Sequence, residues 1–338
     1  MSIGEWRQVP NSALSLAPIS VKTYPGLGST GPASKVIAWC GLAIDTRDSS
    51  IYSAAGGGHG DYAGNEVNMI RLSDAAPAWV ERRASTASSQ VVASATHYSD
   101  GRPTSRHSYY GVVCNQLRDR VMLLAGSRYG DGYQIDTMDG FNPALGDWDP
   151  AHTWPNVPAD VPMYYGAAIV EHKNTGDIYA FANYGVYRWS NSSNTWSQVV
   201  SGGSLFGFEA AAALDTTRNR VLVLGGLGND LGLYTLGASA VQAISLTGLG
   251  AAPLSGTGQG MVYDPALDAY LVRAPEAGGA VYRIDAQTFA VSTLATSSGG
   301  SIVAAQNGVY RRWLYAPGLG GVVYCPQYDA NLWFLRTV

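Results

Sequence analysis

The stretch AAAALDTTRNRVLVLGGLGNDLGLYTL, residues 210–236, contains three short apolar runs separated by polar or glycine-rich turns. The first run ends at Asp215, and the polar segment TTRNR leads directly into the second run, VLVL. Apolar runs of this length, bounded by turn residues, are typical of buried β-strands joined by a tight antiparallel connection. The stretch therefore predicts a β-hairpin followed by a third antiparallel strand.

The same pattern recurs five more times along the chain. Apolar pairs equivalent to the pair at 221 begin at positions 51, 121, 178, 270 and 322. Each pair follows a polar or turn-forming segment of the same length: TRDSS, QLRDR, KNTGD, PALDA and PGLGG. A third β-rich run comes after each of these hairpins, in EVNMIRL, GYQIDTM, GVYRWS, GAVYRI and NLWFLRTV. Six hairpins of one length are therefore predicted, each with a third strand.

A fourth run, marked by tryptophan, completes several of these units. It is clear in WVERR at Trp79 and in WSQVV at Trp196, and less clear at Trp148. Units of four short antiparallel strands, repeated at intervals of roughly 40 to 50 residues, are typical of β-propeller blades. We therefore predict an all-β chain that forms a six-bladed β-propeller of four-stranded antiparallel blades.

The last unit lacks a fourth run of its own, whereas GEWRQVP at 4–10 has the pattern of the other fourth runs. Because an unpaired sheet edge is unfavourable, we predict that this N-terminal strand completes the last blade and closes the ring. A single domain is predicted over 1–338, with long loops at 11–38, 84–107 and 141–163. The blades are expected at about 39–83, 108–150, 164–200, 209–246, 258–294 and 309–338 plus 1–10.

The glycine pairs after the second runs, with a tyrosine before a turn and a tryptophan in the fourth run, resemble the Kelch family of β-propellers. VLVLGGLGNDLGLYTL at 221–236 and IYSAAGGGHGDYAGNEV at 51–67 carry the glycine pairs, and DGRPTSRHSYYGVV at 100–113 resembles the family's approach to a first strand. The resemblance implies the architecture and leaves the function open, because the family includes enzymes, binding scaffolds and virion proteins. The copper chemistry of galactose oxidase, a family member, is not implied, because the histidines and cysteines lack its arrangement.

The segment GGGHGDYAGNE, 56–66, is the strongest candidate for a site. It follows the second strand of the first blade, and in a propeller such connections emerge on the same face as those from a fourth strand to the next blade. The second kind of connection, leading into blade two, carries two arginines and a histidine. The candidate ligand-binding residues on this face are His59, Asp61, Tyr62, Asn65, Glu66, Arg102, Arg106 and His107.

Two interpretations of this cluster stay open. As a pocket, the carboxylates and histidines facing two arginines would hold a sugar or an acidic group, or perform acid/base chemistry. As a brace, the glycines would permit a sharp turn at positive φ while the polar side chains bind the long loops to one another. A phosphate cradle is disfavoured, because no GK[ST] follows and Asp61 and Glu66 would repel the anion.

No motif identifies a reaction or a cofactor. The chain has no GxSxG and no HExxH, and the carboxylates of RYGDGYQID (128–136) and NDLG (229–232) lack the alternating spacing of a calcium loop. Cys40, Cys114 and Cys325 are odd in number and lie among apolar neighbours, which indicates buried free thiols and neither a zinc site nor a disulfide framework. We predict no catalytic residue, no metal and no cofactor.

Tyrosines near strand ends and loops suggest a binding surface, because tyrosine stacks on sugars and anchors protein partners. The same residues also suit the half-buried surface of a strand, and this alternative stays open. The tyrosines concerned are Tyr109, Tyr110, Tyr129, Tyr133, Tyr164, Tyr165 and Tyr184.

Composition limits the partners. Charged residues are only 14% of the chain and the net charge is −4, so a nucleic-acid partner is not expected. No run of 18 apolar residues is present and MSIGEWRQVP lacks the layout of a secretory signal, so we predict neither membrane insertion nor export. A surface that is poor in lysine and charge, without an export signal, is typical of a bacteriophage structural protein made in the host cytoplasm.

The leading hypothesis is a non-enzymatic propeller in a bacteriophage virion. It would serve as a tail or capsid accessory or decoration protein, or in host recognition, with other virion proteins or a host-surface glycan or protein as partners. One alternative is a carbohydrate-active enzyme or oxidoreductase with its site at the face shared by blades one and two. Another is a cytoplasmic Kelch-type scaffold for protein interactions.

Overall fold

The computed structural model describes residues 1–21, 27–163, 167–202, 205–225, 231–275 and 279–338. Helices within these ranges are short: α1 (Ser34–Ile37), α2 (Asp160–Met163) and six single 3-10 turns, at 14–16, 31–33, 88–90, 252–254, 310–312 and 317–319. The remaining regular structure is β. No helix in these ranges is long and apolar enough to cross a membrane. The predicted all-β class is confirmed.

Six antiparallel sheets form the blades of a propeller. The chain opens with β1 (Glu5–Gln8), which belongs to the last blade. The strands of blade one are β2 (Ala43–Asp45), β3 (Ser50–Ala54), β4 (Val67–Arg71) and β5 (Val80–Arg83). A separate two-stranded sheet is formed by β6 (Arg106–His107) and β9 (Ser127–Arg128), and blade two by β7 (Val112–Asn115), β8 (Arg120–Leu124), β10 (Met138–Asn142) and β11 (Asp147–Trp148).

Blades three to six follow in chain order. Blade three comprises β12 (Ala168–Glu171), β13 (Ile178–Ala182), β14 (Gly185–Ser190) and β15 (Thr195–Ser201), and blade four comprises β16 (Ala211–Asp215), β17 (Arg220–Leu224), β18 (Leu231–Thr235) and β19 (Gln242–Ala243). Blade five has β21 (Gly260–Asp264), β22 (Ala269–Arg273), β23 (Tyr282–Asp285) and β24 (Ala290–Thr293), with β20 (Thr247–Gly248) added in parallel outside β24. Blade six has β26 (Trp313–Ala316), β27 (Gly321–Tyr324), β28 (Trp333–Arg336) and β1, with β25 (Ser297–Ser298) outside β1.

In blades one, two, four and five, the turn after the first strand explains the acidic or amide residue at its end. Asp215 Oδ1 accepts hydrogen bonds from the backbone nitrogens of Thr217 and Arg218, both at 3.0 Å. An Asp or Asn side chain that bonds its own backbone two residues later fixes such a turn. Four of these turns end in a residue with φ between 47° and 57°, directly before the second strand: Ser49, Asp119, Asn219 and Asp268. The six predicted hairpins are confirmed.

The N-terminal strand closes the ring, as the sequence predicts. β1 pairs antiparallel with β28, with Trp6 opposite Leu335. Trp6 is only 2% exposed, and its ring centroid lies 5.8 Å from that of Trp313 and 6.4 Å from that of Tyr324. The first and last strands of the chain therefore share one sheet and one aromatic core.

The third strand of blade two lies later than the sequence predicts. The prediction was the run GYQIDTM at 132–138, whereas β10 begins at Met138 and β11 ends at Trp148. The segment before β10 forms a loop that buries Ile135. The second residue of β10 is Asp139, which is buried and pairs with Arg106, and the local sequence pattern does not show this partner. The chain between β11 and α2 is irregular, so the loop predicted from 141 begins only after Trp148.

Burial decreases from the axis to the rim of each blade. Second strands such as β3 and β13 are completely buried, whereas the outer strands β5 and β15 are mostly exposed. Cys40, Cys114 and Cys325 are buried free thiols, as predicted. We call the upper face the end of the ring reached by connections from second to third strands and from fourth strands to the next blade.

Candidate functional site

The glycine run lies in direct backbone contact with two other loops of the upper face. His59 donates its backbone N–H to Arg128 O at 3.0 Å, and its own carbonyl accepts from Gly130 N at 2.7 Å. A Cβ on Gly58, which has a φ of 75°, would come within 2.5 Å of Arg106 Cα. The run is glycine because the backbones approach too closely for side chains. This packing places His59 beside the start of blade two.

Three predicted residues meet at the upper face: His59, Asp61 and His107. Asp61 Oδ2 lies 2.9 Å from His107 Nε2, and the rings of His59 and His107 are edge to face with centroids 5.7 Å apart. One ligand atom from each residue lies within 4.8 Å of the others. His107 is buried, Asp61 is half-buried and His59 is exposed, so the cluster opens to solvent on one side.

Packing fixes the His107 side chain. Its ring centroid lies 5.2 Å from that of Trp39 and 6.1 Å from that of Tyr109. Burial lowers the pKa of His107, and the hydrogen bond and charge of Asp61 offset part of this effect. A buried imidazole with a lowered pKa is neutral at pH 7, the state in which it accepts a proton or binds a metal ion.

Tyr62 and Glu66 point into the protein and serve as a brace. The Glu66 carboxylate is completely buried and forms an ion pair with Lys35 of α1. It also accepts hydrogen bonds from the Tyr62 hydroxyl, at 3.1 Å, and from Ser85. Burial alone would raise the pKa of Glu66, but the attraction of Lys35 outweighs it and the pKa is lowered. Glu66 is therefore a buried carboxylate whose oxygens are paired within the protein.

Asn65 extends the brace to the long loop 84–107. Its Oδ1 accepts from the backbone nitrogen of Thr86 at 2.8 Å, and its Nδ2 donates to Pro103 O at 2.8 Å. The oxygen and the nitrogen of the Asn65 amide are thus both hydrogen-bonded within the protein, and these bonds hold the loop against the ring. Asn65 satisfies backbone groups, which is the second interpretation of the sequence.

The two arginines do not face the His59 cluster. Arg106 is completely buried and donates to Asp139 at 2.9 Å and to Thr137 at 3.0 Å. Arg102 forms two 2.9 Å hydrogen bonds to Asp147. Each guanidinium has a carboxylate partner within the protein, as a buried charge requires. The ligand-binding role of the eight residues stays a prediction.

The predicted tyrosines divide into buried and exposed groups. Tyr109 and Tyr110 are buried, Tyr129 is half-buried, and Tyr164 and Tyr165 lie outside the described residues. Three aromatic residues are substantially exposed in the described ranges: Trp39 at 37%, Tyr133 at 70% and Tyr184 at 46%. All three lie in connections that reach the upper face. Trp39 was missed in the sequence because it adjoins an apolar run and resembles a core residue.

Three residues that pair with predicted site residues were missed in the sequence. They are Lys35, Thr30 and Asp139, the partners of Glu66, Asp61 and Arg106. Lys35 and Thr30 belong to the predicted loop 11–38, and Asp139 lies within a strand. None belongs to a recognisable motif, and each contacts its partner only through the tertiary fold. The carboxylate of RYGDGYQID at Asp131 pairs with Arg128, whereas Asn229 and Asp230 of NDLG lie outside the described residues.

A separate cavity of about 360 Å³ lies where the first strands of several blades converge. Its wall is mostly apolar and includes Val170 and Met261. Charged groups enter it from Arg311 and from the Lys173–Glu171 ion pair. None of the eight predicted residues lines this cavity, so it is distinct from the upper-face cluster.

Comparison with known proteins gives the fold. No protein-family model matches the chain, and no curated protein is similar in sequence. A gluconolactonase from Xanthomonas campestris superposes with a TM-score of 0.50 and 9% identity, over 88% of this chain and 84% of that one. A chain of a nidogen/laminin complex gives a TM-score of 0.42 and 10% identity, over 79% and 88%. At 9% identity, the likeness to the gluconolactonase shows a shared β-propeller fold alone.

Proposed function

We propose that the protein is a non-enzymatic β-propeller of a bacteriophage particle that binds a host-surface glycan with its upper face. The observation that carries this proposal is the placement of the exposed aromatic side chains. Trp39, Tyr133 and Tyr184 are those found in the described ranges, and all three lie in upper-face connections. Exposed aromatic rings on one surface of a rigid scaffold are typical of a binding site.

One of these rings contacts the polar cluster, and a second belongs to the residue that follows a glycine beside the cluster. Trp39 contacts the ring of His107, which bonds to Asp61. The His59 ring lies so close to Gly132, the residue before Tyr133, that a Cβ at Gly132 would overlap the ring. A sugar presents apolar faces that stack on such rings and hydroxyl groups that bond to a carboxylate or an imidazole. We call Trp39, His59, Asp61, His107 and Tyr133 the Trp39–Tyr133 patch.

The brace beneath the patch supports a binding role. Lys35, Glu66 and Asn65 hold the loops in place without contacting solvent. A surface that is ordered before binding loses less conformational entropy when it takes a ligand, so the same contacts give a higher affinity. The buried polar groups therefore contribute to binding by rigidity.

Substitution of the exposed aromatics tests the proposal. We expect Trp39→Ala and Tyr133→Ala each to weaken glycan binding by about tenfold, because truncation of an aromatic anchor costs more than about 1 kcal/mol. The measurement is a glycan array followed by titration of the best sugar. Leu145→Ala is the control, because Leu145 is 78% exposed but lies in the turn between β10 and β11, on the opposite face. Equal binding by all variants would contradict the proposal.

The virion setting is supported by composition and is tested separately. Only three of the 21 basic residues are lysines, and charged residues are few. We expect mass spectrometry of purified phage particles from the source to detect this chain. Many ordered copies would identify a capsid decoration protein, and a few copies a tail protein. Its absence from particles would contradict the virion setting while leaving glycan binding to be judged by the array.

The second candidate function is that of an enzyme whose active site lies on the upper face. Asp61 and His107 form a hydrogen-bonded carboxylate–imidazole pair beside the exposed His59, the arrangement that orients a general base. The gluconolactonase with the same fold is an enzyme, which makes sugar lactones reasonable test substrates. Turnover that is lost in His59→Ala without a change in melting temperature would establish this candidate. Binding without turnover favours the leading proposal.

A further inference from the structure

We propose that His59, Asp61 and His107 bind a divalent transition metal ion of the zinc type through two imidazole nitrogens and one carboxylate oxygen. This goes beyond glycan binding, and the sequence predicts no metal there. The three residues are the group of potential metal ligands that the described part of the chain brings within 4.8 Å of one another. His59 and Asp61 follow the glycine run, and His107 comes from β6.

The distances suit a small ion. Zinc bonds nitrogen and oxygen ligands at about 2.0 to 2.2 Å, so tetrahedral ligand atoms lie roughly 3.3 Å apart. Asp61 Oδ2 and His107 Nε2 are already 2.9 Å apart and need to separate only slightly when an ion replaces their hydrogen bond. The His59 side chain is exposed, and its ring already lies edge to face with that of His107, with the centroids 5.7 Å apart.

The ligands are oriented before any ion arrives. Asp61 Oδ1 accepts a hydrogen bond from the Thr30 hydroxyl at 3.1 Å, which turns Oδ2 toward His107. Outer partners of this kind fix the orientation of metal ligands and raise affinity. His59 has a φ of 45°, an unfavourable conformation that its backbone bonds to neighbouring loops maintain. Strain held by the surrounding structure is common at functional sites.

The donor set selects the class of ion. Two imidazoles and one carboxylate suit zinc and related transition metals, whereas calcium requires six to eight oxygen ligands. The exposed side of the cluster leaves room for water as a further ligand.

Metal titration of the full chain tests the inference. After removal of metals with a chelator, we expect wild-type protein to bind one equivalent of Zn²⁺ by calorimetry and to give a visible absorption band with Co²⁺. Loss of an outer partner commonly lowers metal affinity by 10- to 100-fold. We therefore expect Thr30→Ala to weaken binding about tenfold, and His59→Ala and Asp61→Asn about 100-fold or more.

His152→Ala is the control, because His152 is also an exposed histidine with a positive φ, of 65°. This variant should bind Zn²⁺ as the wild type does. Failure of the wild type to bind Zn²⁺ saturably, or equal binding by the wild type, His59→Ala and Asp61→Asn, would overturn the inference. Thr30 is exposed, so its variant tests the site even where a ligand substitution impairs folding. Glycan binding by the chelated protein, measured separately, distinguishes this failure from failure of the proposed function.

Discussion

Deletion of residues 1–8 is expected to destabilise the ring strongly. These residues supply β1, the fourth strand of blade six, and without it β28 has an unpaired edge. The deletion also removes Trp6 from its contacts with Trp313 and Tyr324. Replacement of a buried Trp by Ala costs about 3–5 kcal/mol, a large part of the 5–15 kcal/mol that stabilises a typical domain. We expect a lower melting temperature and broader unfolding by circular dichroism.

Point variants distinguish the contribution of β1 pairing to stability from that of the Trp6 side chain. Trp6→Ala keeps the backbone pairing and is expected to lose about 3–5 kcal/mol of unfolding free energy in denaturant titration. Arg7→Ala, on the same strand but exposed, should change it by no more than about 0.5 kcal/mol. A circular permutant that carries residues 1–8 after Val338, through a short linker, should restore the fold because β1 pairs antiparallel with β28. A deletion variant as stable as the wild type would show that β1 is dispensable.

The ring closure and the hairpins were predictable because their causes are local or repeated. Asp215 ends a strand and fixes the following turn through its own backbone, and the same chemistry recurs in other blades. Repetition then makes a missing element visible: a sixth unit without a fourth strand requires the strand at Trp6. Blade-to-blade comparison supplies information that one segment alone does not contain.

The candidate site was predictable only in outline. Topology places the connection with His59 and the connection with His107 on one face, and the structure brings these residues together. The partner of each charge was not predictable, because Lys35, Asp139 and Thr30 reach the site from distant segments. The sequence pattern does not show which residues pair with Arg106 and Glu66, and the fold buries both and pairs them with Asp139 and Lys35.

The ion pair between Lys35 and Glu66 gives the second large effect. Both side chains are almost completely buried, and Lys35 Nζ also donates to Asn68 Oδ1 at 2.6 Å. We expect Lys35→Met to lower the unfolding free energy by about 3–5 kcal/mol, because it leaves the Glu66 carboxylate buried without a cation. Arg71→Met is the control, because the Arg71–Asp48 pair on the same blade is exposed and contributes at most about 1 kcal/mol.

A double substitution separates loss of the pair from loss of one partner. Lys35→Met with Glu66→Gln removes both charges and keeps an amide in place of the carboxylate. We expect it to be more stable than Lys35→Met alone, because no buried charge remains unpaired. Denaturant titration of both single variants and the double variant gives the coupling energy. Additive losses would show that the two charges do not depend on each other.

The pH dependence of the Lys35→Met variant gives an independent test with a defined sign. In the wild type, the folded-state pKa of Glu66 is lowered, so its stabilisation is present above the unfolded-state pKa and is lost as the pH falls through the folded value. Without Lys35, burial is opposed only by hydrogen bonds such as that from Ser85, and we expect it to raise the pKa of Glu66, so that folding favours the protonated acid. The stability difference between wild type and Lys35→Met should therefore be greatest near pH 7 and should narrow as the pH falls toward about 4.5, near the ordinary glutamate pKa. A difference that is constant between these pH values would mean that the variant loses packing alone, and that the charge of Glu66 has no part in the effect.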